Sequence, residues 1–188
     1  MNGNAPPAPD AEFTITTLAA GAVKPDSWHA VEEIFFLSAA PRDFATPNER
    51  REFLDRWTGY YLECEPENFF LAANAGGRIA GYLTGCVDSL GAARLYHDIP
   101  YFGLFEDYFA AYPAHFHINC HPRFRNRGIG SRLVAAYLER CARDGLPGVH
   151  VITAAAARNV AFYRRCGFDV SVTRRWRGED LMFLGARL

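Results

Sequence analysis

The spacing of apolar residues along this chain predicts seven strands and four helices. In residues 13–18 apolar and polar positions alternate, as in a half-buried strand, whereas in residues 128–144 the apolar positions recur every three or four residues, as on one face of a helix. The same two patterns continue along the rest of the chain. They predict strands at residues 13–18, 69–74, 78–87, 115–120, 149–153, 168–175 and 180–187, and helices at residues 26–39, 48–61, 128–144 and 157–165.

The predicted elements follow the order β-α-α-β-β-β-α-β-α-β-β, with a long connection, residues 88–113, before the fourth strand. We expect one α/β (α+β) domain, residues 12–188, whose mixed, mostly antiparallel sheet of about seven strands is flanked by helices. Residues 1–11 are rich in Ala, Pro and Asn and are predicted to form a disordered tail. The connection 88–113 contains seven aromatic residues. We expect most of them to pack on the core and a minority to line an acceptor pocket or a dimer contact.

Composition restricts the class of protein and its partners. The chain has 188 residues and 49% hydrophobic content, which suits a globular domain with a sizeable core. Its formal net charge is −1, so the chain as a whole is no polycation and we expect no nucleic-acid partner. Five dispersed cysteines without a C-x-x-C pair indicate reduced thiols and a cytoplasmic location. No signal peptide or membrane-spanning run is visible, so we expect no membrane partner.

The stretch Arg123–Leu133 lies between the fourth predicted strand and the long helix, and it contains four arginines, two glycines and a serine. Glycine lets a backbone approach a ligand closely. The first amides of a helix have no partner inside it and point outward at its positive end. The stretch therefore predicts an anion site, most naturally for phosphate. The alternative is a solvated basic turn that begins an ordinary helix.

Three phosphate-loop patterns can be compared with this stretch. A P-loop requires a lysine after its second glycine, and a dinucleotide fingerprint requires a third glycine; both are absent here. Arg125-x-x-Gly128-x-Gly130 instead resembles the [QR]-x-x-G-x-[GA] pyrophosphate loop of the GNAT superfamily of N-acetyltransferases. In that family the loop amides hold the pyrophosphate of acetyl-coenzyme A.

A second motif strengthens this resemblance. The segment from Asn159 to Phe168, which contains Phe162-Tyr163 and Gly167-Phe168, resembles the F-Y-x-x-x-G-F helix of the GNAT superfamily. It follows the loop after one helix and one strand, as the family requires, and the resemblance covers Phe13 to Leu188. His115-Phe-His-Ile-Asn119 further resembles the H-L-H-I-D run of acetyltransferase-like domains associated with O-GlcNAcases.

The resemblance implies a GNAT-like fold and a direct transfer of acetyl from acetyl-coenzyme A to a primary amine. It implies no metal, a small-molecule or protein amine as acceptor, and a monomer or homodimer. In the family the strand before the loop splays from its neighbour and binds the pantetheine arm through its backbone. The cofactor-binding residues that it implies are Ile118, Asn119, Cys120, Arg125, Asn126, Arg127, Gly128, Ile129, Gly130, Ser131 and Asn159.

Two steps of the transfer need specific donors. The thioester oxygen becomes an oxyanion, and a main-chain NH near Cys120 is the candidate donor. Cys120 beside His121 could instead be a nucleophile, but the family transfers acetyl directly. The leaving thiolate, with a pKa near ~8.5, can take a proton from a phenol with a pKa near ~10. Tyr163 occupies the position of the family's tyrosine and is the predicted acid, the alternative being a core aromatic beside Phe162.

The amine must lose a proton before or during its attack. His117 and His115 share one face of their strand, and His117 is the candidate base, with Glu106 and Asp107 of the connection as alternatives. A histidine on a strand is more often a hydrogen-bonded structural residue. A metal site formed by His115, His117 and His121 is a further alternative, but no carboxylate lies nearby in the sequence.

Two departures from the family pattern concern activity. Ala156 stands where the family often has an asparagine that contacts the cofactor, and Asn159 could replace it. Asn119 replaces the Asp of the H-L-H-I-D run and cannot act as a base. The competing function is therefore a non-catalytic domain that binds or senses acyl-coenzyme A. The sequence does not identify the acceptor amine.

Overall fold

The computed structural model describes residues 13–18, 25–39 and 43–188, so the predicted tail of residues 1–11 lies outside the described residues. Its strands are β1 Thr14–Thr17, β2 Phe69–Ala73, β3 Ile79–Cys86, β4 Ala114–Cys120, β5 Gly148–Ala154, β6 Val170–Trp176 and β7 Glu179–Arg187. Its α-helices are α1 Pro25–Ser38, α2 Pro47–Leu54, α3 Tyr60–Cys64, α4 Ala93–Asp98, α5 Ile129–Arg143 and α6 Val160–Arg165.

The strands form one seven-stranded sheet in the order β1-β2-β3-β4-β5-β7-β6. Every pair is antiparallel except β4 and β5, which run parallel, so the predicted mixed, mostly antiparallel sheet is confirmed. The β4–β5 ladder holds only two pairs, Ala114 with Val149 and His115 with His150. Beyond these pairs β4 continues to Cys120 and β5 to Ala154 without pairing to each other, so a gap opens in the middle of the sheet.

Helices cover both faces of the sheet because alternate strand residues point in opposite directions. On β2, Phe70 and Ala72 belong to the apolar cluster that includes α5 and Tyr163. Their neighbours Phe69 and Leu71 belong to a second cluster, which includes apolar residues of α1. Each face of the sheet is therefore buried, and the gap between β4 and β5 lies between two packed layers.

The helix predicted at residues 48–61 is longer and less regular than its sequence pattern indicates. It begins at Pro47, where the Thr46 hydroxyl accepts a hydrogen bond from the Glu49 amide. A π-turn, Asp55–Gly59, interrupts it before α3. The periodic pattern could not show this turn, because apolar spacing does not separate α- from π-type hydrogen bonding within one turn. The turn carries Trp57, and π-turns inside helices occur frequently at functional sites.

The connection 88–113 folds into α4 and a run of 3₁₀ turns, Phe102–Tyr108. Most of its aromatic rings pack on the core, as predicted: Phe102, Phe105, Phe109 and Tyr112 are buried in a third apolar cluster that includes Phe183 of β7. The connection therefore covers the sheet beside the parallel pair of strands.

Candidate active site

The gap between β4 and β5 contains a cavity of about 180 Å³. Five of the residues predicted for the site line it together: His117, Ile118, Asn119, Asn159 and Tyr163. The other lining residues were not predicted as site residues; they are Phe35, Trp57, Phe116, Val151 and Ile152. Phe35 and Trp57 lie within the helices predicted at residues 26–39 and 48–61, and which face of the sheet those helices cover depends on the fold.

Backbone polar groups of β4 point into the gap. The His121 amide donates to the Ala80 carbonyl of β3 at 2.9 Å, and the β3–β4 register pairs Cys120 with Gly81 and Ile118 with Leu83. Residues of an antiparallel strand alternate between the two sides. The amides of Ile118 and Cys120 consequently face away from β3, toward the space that β5 has left.

Arg125 fixes the start of the stretch Arg123–Leu133 to the end of β4. Its Nε donates to the Cys120 carbonyl at 3.3 Å, and its guanidinium also donates to the Ser38 hydroxyl at 3.3 Å. Burial raises the pKa of the Cys120 thiol to about 11, and the nearby Arg125 opposes this only partly. A thiol that stays protonated near neutral pH is a poor nucleophile. The geometry therefore favours Cys120 as a strand residue that acts through its backbone.

The loop ends in left-handed backbone conformations that start α5. Asn126 has φ of 63° and Gly128 has φ of 74°. The first hydrogen bond of the helix runs from the Arg132 amide to the Gly128 carbonyl at 3.1 Å. The amides of Ile129, Gly130 and Ser131 donate no hydrogen bond to any described residue, and no described side chain caps the helix. These amides are the free donors expected of an anion site.

The two loop glycines serve different purposes. A Cβ at Gly128 would have no atom within 4 Å, so this position faces open space at the mouth of the loop. A Cβ at Gly130 would lie 3.2 Å from the Phe162 ring of α6. Gly130 therefore allows α5 and α6 to approach each other, a packing role that the motif did not reveal. Arg127 places its guanidinium 5.6 Å from the centre of the Phe124 ring.

Tyr163 lies on α6 at the wall of the cavity. Its ring makes edge contacts with Phe116 and Phe168, at 6.0 Å and 5.9 Å between ring centres. Burial raises the pKa of Tyr163, and the neighbouring Asn159 side chain opposes part of this rise. The phenol is therefore protonated at neutral pH. Asn159 itself accepts a hydrogen bond from the Thr153 hydroxyl at 3.1 Å, which ties the start of α6 to the end of β5.

His115 is fixed by hydrogen bonds on both ring nitrogens. The Ser89 hydroxyl donates to the Pro113 carbonyl at 2.6 Å, so it accepts from His115 Nδ1, 2.7 Å away. His115 Nε2 then has no proton and accepts from the Tyr61 hydroxyl at 2.9 Å. Burial, together with the neighbouring histidines, lowers the pKa of His115 far below its ordinary value. The ring is neutral and fully engaged, which makes it a structural residue.

His117 is the histidine that remains available to the cavity. Its ring meets Trp57 and Tyr61 edge-on, at 5.2 Å and 5.4 Å between ring centres. No described residue supplies a hydrogen bond to either of its ring nitrogens. Burial lowers the pKa of His117 to about 4, so it is neutral near pH 7. Neutral imidazole can accept a proton, although only weakly at this pKa.

His150 was not predicted as a site residue, because a single histidine in an apolar strand is usually structural. Its ring is stacked between Phe109 and Phe183, at 4.6 Å and 5.0 Å between ring centres. Nδ1 donates to the Tyr112 carbonyl at 2.7 Å, and the buried Nε2 has no hydrogen-bond partner among the described residues. Burial lowers the pKa of His150 to about 4. His150, His117 and Tyr101 line a second, smaller cavity of about 20 Å³, with room for about one water molecule.

The other candidates for the base lie outside both cavities. Asp107 forms a two-pronged ion pair with Arg174, at 2.6 Å and 2.7 Å, and is exposed. Glu106 is exposed and lines neither cavity. His121, which was considered only beside Cys120 and in the alternative metal site, lies at the strand end, where its Nδ1 accepts a hydrogen bond from the Arg123 amide. Across the described ranges, no three histidine, cysteine or acidic residues are grouped so that they could hold a metal ion.

The sequence of residues 28–168 matches the sequence model of the acetyltransferase (GNAT) family. The chain belongs to this family. A parallel strand pair that separates beside a glycine-containing loop, with the amides of a long helix free at its start, is consistent with this membership.

Solved structures share the same fold. SsHAT is 24% identical with a TM-score of 0.72, over 94% of this chain and 98% of that one. PH1933 from Pyrococcus horikoshii is 13% identical with a TM-score of 0.69, over 94% and 99% of the two chains. A GCN5-related N-acetyltransferase from Kribbella flavida is 13% identical with a TM-score of 0.61, over 94% and 98%. At these identities the likeness shows the fold. None of the helices in the described part of this GNAT protein has the length and apolar character needed to cross a membrane.

Proposed function

We propose that this member of the GNAT family is an acetyl-coenzyme-A-dependent N-acetyltransferase that moves acetyl directly from the thioester to a primary amine. One observation carries the proposal: Tyr163 and His117 line the same cavity, at the point where β4 and β5 separate. A phenol and a neutral imidazole are thus available to one reaction centre. Tyr163 can supply a proton to the leaving group, and His117 can accept one from the nucleophile.

Coenzyme A would bind along the loop and the free edge of β4. The unpartnered amides of Ile129, Gly130 and Ser131, at the positive end of α5, suit the pyrophosphate. Arg125, Asn126, Arg127 and Gly128 shape the loop around it. The pantetheine arm would pair with the backbone of Ile118–Cys120, which β5 leaves unpaired. The residues present therefore fit this acetyl donor.

The transfer of acetyl combines an attack on the thioester, cleavage of the carbon–sulfur bond and two proton movements. The amine nitrogen attacks the thioester carbon, and the carbonyl oxygen becomes an oxyanion that the Ile118 or Cys120 amide can stabilise. The carbon–sulfur bond then breaks, and the thiolate takes the phenolic proton of Tyr163. His117, or water beside it, accepts the proton lost by the nitrogen. The buried phenol with its raised pKa is a weak acid, so its proton must move as the carbon–sulfur bond breaks.

A second function, binding or sensing of acyl-coenzyme A without turnover, has two specific supports. The Asn119 amide donates to the Tyr82 hydroxyl at 2.9 Å, so this residue ties β4 to buried Tyr82 and supplies no base. Ala156 also offers the cofactor no polar side chain. The presence of Tyr163 on the cavity wall favours catalysis over this alternative.

The proposal is tested by measuring thiol release from acetyl-coenzyme A across a panel of small-molecule and peptide amines. We expect release that depends on the amine and on Tyr163. Tight binding of acetyl-coenzyme A without thiol release from any amine would favour the sensing function. Failure to bind acetyl-coenzyme A at all would contradict both.

A further inference from the structure

We infer that the acceptor is a weakly basic primary amine flanked by apolar groups, such as an α-amino group, rather than a strongly basic lysine-like amine. This inference rests on the proposed N-acetyltransferase function. It comes from the chemistry of the cavity walls, and it limits the class of substrate that motifs alone leave open.

The first observation is the absence of charge on the walls. Of the described residues, none that lines the cavity of about 180 Å³ is an Asp, Glu, Lys or Arg, and the same holds for the smaller cavity beside it. The nearest polar side chains at the reaction centre are the neutral groups of His117, Asn119, Asn159 and Tyr163. An ammonium ion in such surroundings loses its hydration and gains no counter-charge.

The second observation is the character of the acceptor side. Coenzyme A would occupy the side of β4 and α6, so the amine must approach past the remaining walls, Phe35, Trp57 and Ile152. Aromatic faces attract cations, but this attraction is smaller than the cost of removing an ion from water. These rings favour the neutral amine and an apolar flank next to it.

The third observation is that His117 is the one imidazole among the described residues that lines the larger cavity. The titratable groups around His117 are Tyr61 of α3, His115 of its own strand, His150 of β5, Tyr101 of the connection and Tyr163 of α6. His115 is saturated with hydrogen bonds, and His150 lines the smaller cavity but not the larger one. His117 is therefore the imidazole that faces the reaction centre, and burial lowers its pKa to about 4.

The basicity of the amine decides how readily it gives up its proton. Proton transfer to His117 is about 250-fold less favourable from a lysine-like ammonium of pKa near ~10.4 than from an α-ammonium group of pKa near ~8. Near pH 7 the neutral form makes up about one molecule in eleven of the α-amino class, and about one in 2,500 of the lysine-like class. Both quantities favour the weakly basic amine.

The experiment compares amines that differ in basicity but little in shape. The full chain and saturating acetyl-coenzyme A are given phenylethylamine or its β,β-difluoro analogue, which has a much less basic nitrogen. A second pair consists of one apolar peptide with a free N-terminus and no lysine, and the same peptide with a blocked N-terminus and one lysine. Thiol release gives kcat/KM for each amine from about pH 7 to about pH 10.

We expect the less basic amine of a reactive pair to have at least about tenfold higher kcat/KM near pH 7. This difference in kcat/KM should shrink as the pH approaches the pKa of the more basic amine. Equal or better use of the basic amine near pH 7, with a flat pH profile, would overturn the inference and leave the acetyltransferase function intact. Thiol release with none of the amines would instead contradict the proposed function.

A matched pair of variants tests the role of the uncharged wall. Ile152→Glu places a carboxylate beside both cavities, and Ile152→Gln adds a polar group of the same size without charge. We expect the Glu variant to shift relative use toward the basic amine by about tenfold or more, and the Gln variant to leave the preference unchanged. The affinity for acetyl-coenzyme A monitors the fold of both. An unchanged preference in a Glu variant that retains this affinity would count against the inference.

Discussion

His115, His117 and His150 lie side by side, with 6.2 Å and 5.5 Å between the ring centres of His115 and its two neighbours, yet their chemistry differs. His115 is held on both nitrogens, His150 is stacked between two phenylalanine rings, and His117 opens into the cavity. The residue type is the same in each case. Hydrogen-bond partners and packing decide which imidazole can take part in proton transfer.

Tyr163 gives the first prediction at this scale. Tyr163→Phe keeps the ring packing and removes only the hydroxyl. We expect the affinity for acetyl-coenzyme A to stay close to that of the wild type while kcat falls by about 10²–10⁴-fold, the range of a general acid. The loss should shrink above pH ~8.5, because the thiolate then leaves increasingly without a proton. Calorimetry and thiol-release kinetics measure the two quantities.

Tyr137→Phe is the matched control. The Tyr137 hydroxyl is also buried, but it donates to the carbonyls of Cys86 and His115 at 2.9 Å and 3.0 Å, away from the cavity lining. Its removal should lower the free energy of unfolding by about 1–3 kcal/mol and leave kcat nearly unchanged. A similar loss of kcat in both variants would show that the Tyr163 hydroxyl has a structural role and is not the general acid.

His117 gives the second prediction. Since its pKa is about 4, the imidazole stays neutral through the usual assay range. We expect His117→Ala and His117→Gln to lower kcat by a constant factor from about pH 5.5 to about pH 7.5, and by less near pH 9, where the amine supplies its own neutral form. Gln retains polarity but cannot act as a base. Wild-type activity in His117→Gln would show that water, and not His117, accepts the proton lost by the amine.

At the scale of single elements, the two ends of α5 offer a comparison. Gly128 at its start and Gly145 after its end have φ of 74° and 75°, and a Cβ at either would meet nothing within 4 Å. The backbone strain of a side chain is therefore similar at both ends, about 1–2 kcal/mol. Only the start of α5 carries the free amides of the proposed pyrophosphate site.

The third prediction follows from this comparison. Gly128→Val and Gly145→Val should both lower the free energy of unfolding by a similar amount. Gly128→Val should also weaken binding of coenzyme A by at least about tenfold, because its side chain occupies the mouth of the loop. Calorimetric titration of both variants measures the affinity. Equal affinities for coenzyme A in the two variants would place the pyrophosphate elsewhere.

The π-turn Asp55–Gly59 is a second element whose position matters. It sets the direction of Trp57, whose ring meets His117 edge-on and lines the cavity. The adjacent Thr58 is buried, and its hydroxyl lies 3.4 Å from the hydroxyl of Tyr82. The turn thus connects the helical layer to β3 and places an aromatic ring at the wall of the cavity.

At the scale of the whole molecule, the buried histidines make stability depend on pH. The pKa of His150 is about 4 in the folded protein and near ~6.5 in an unfolded chain. Between these values the unfolded chain binds a proton that the folded protein does not. The stabilisation is therefore complete above about pH 6.5 and is lost as the pH falls toward about 4. His115 and His117 shift in the same direction.

The fourth prediction uses this dependence. We expect the free energy of unfolding to fall by about 1.4 kcal/mol per pH unit for each such histidine within that window. His150→Leu should reduce the slope by one such contribution. At about pH 8, where the imidazole is neutral in both states, the comparison gives the packing cost of the substitution alone. Denaturant titrations at several pH values measure this, and an unchanged slope would show that His150 titrates normally.

The sequence by itself determined the order of the elements and the class of fold. Apolar periodicity is a local property, so it gave the seven strands and the main helices with ends that differ from the structure by a few residues. The loop from Arg125 to Gly130 and the segment with Tyr163 were recognisable because their spacing along the chain is itself the motif. Residues of β4, which adjoins the loop, were found for the same reason.

The tertiary structure decided what surrounds these residues. Phe35, Trp57 and Ile152 are far apart in the sequence and meet in one cavity only because the strand order places β5 beside β4 and α1 and the π-turn cover that pair. The protonation of the three histidines depends on burial and on partners such as Tyr61, Ser89 and Tyr112, which the chain brings together from distant segments. Local patterns carry no information on such contacts, since burial and proximity are properties of the packed chain.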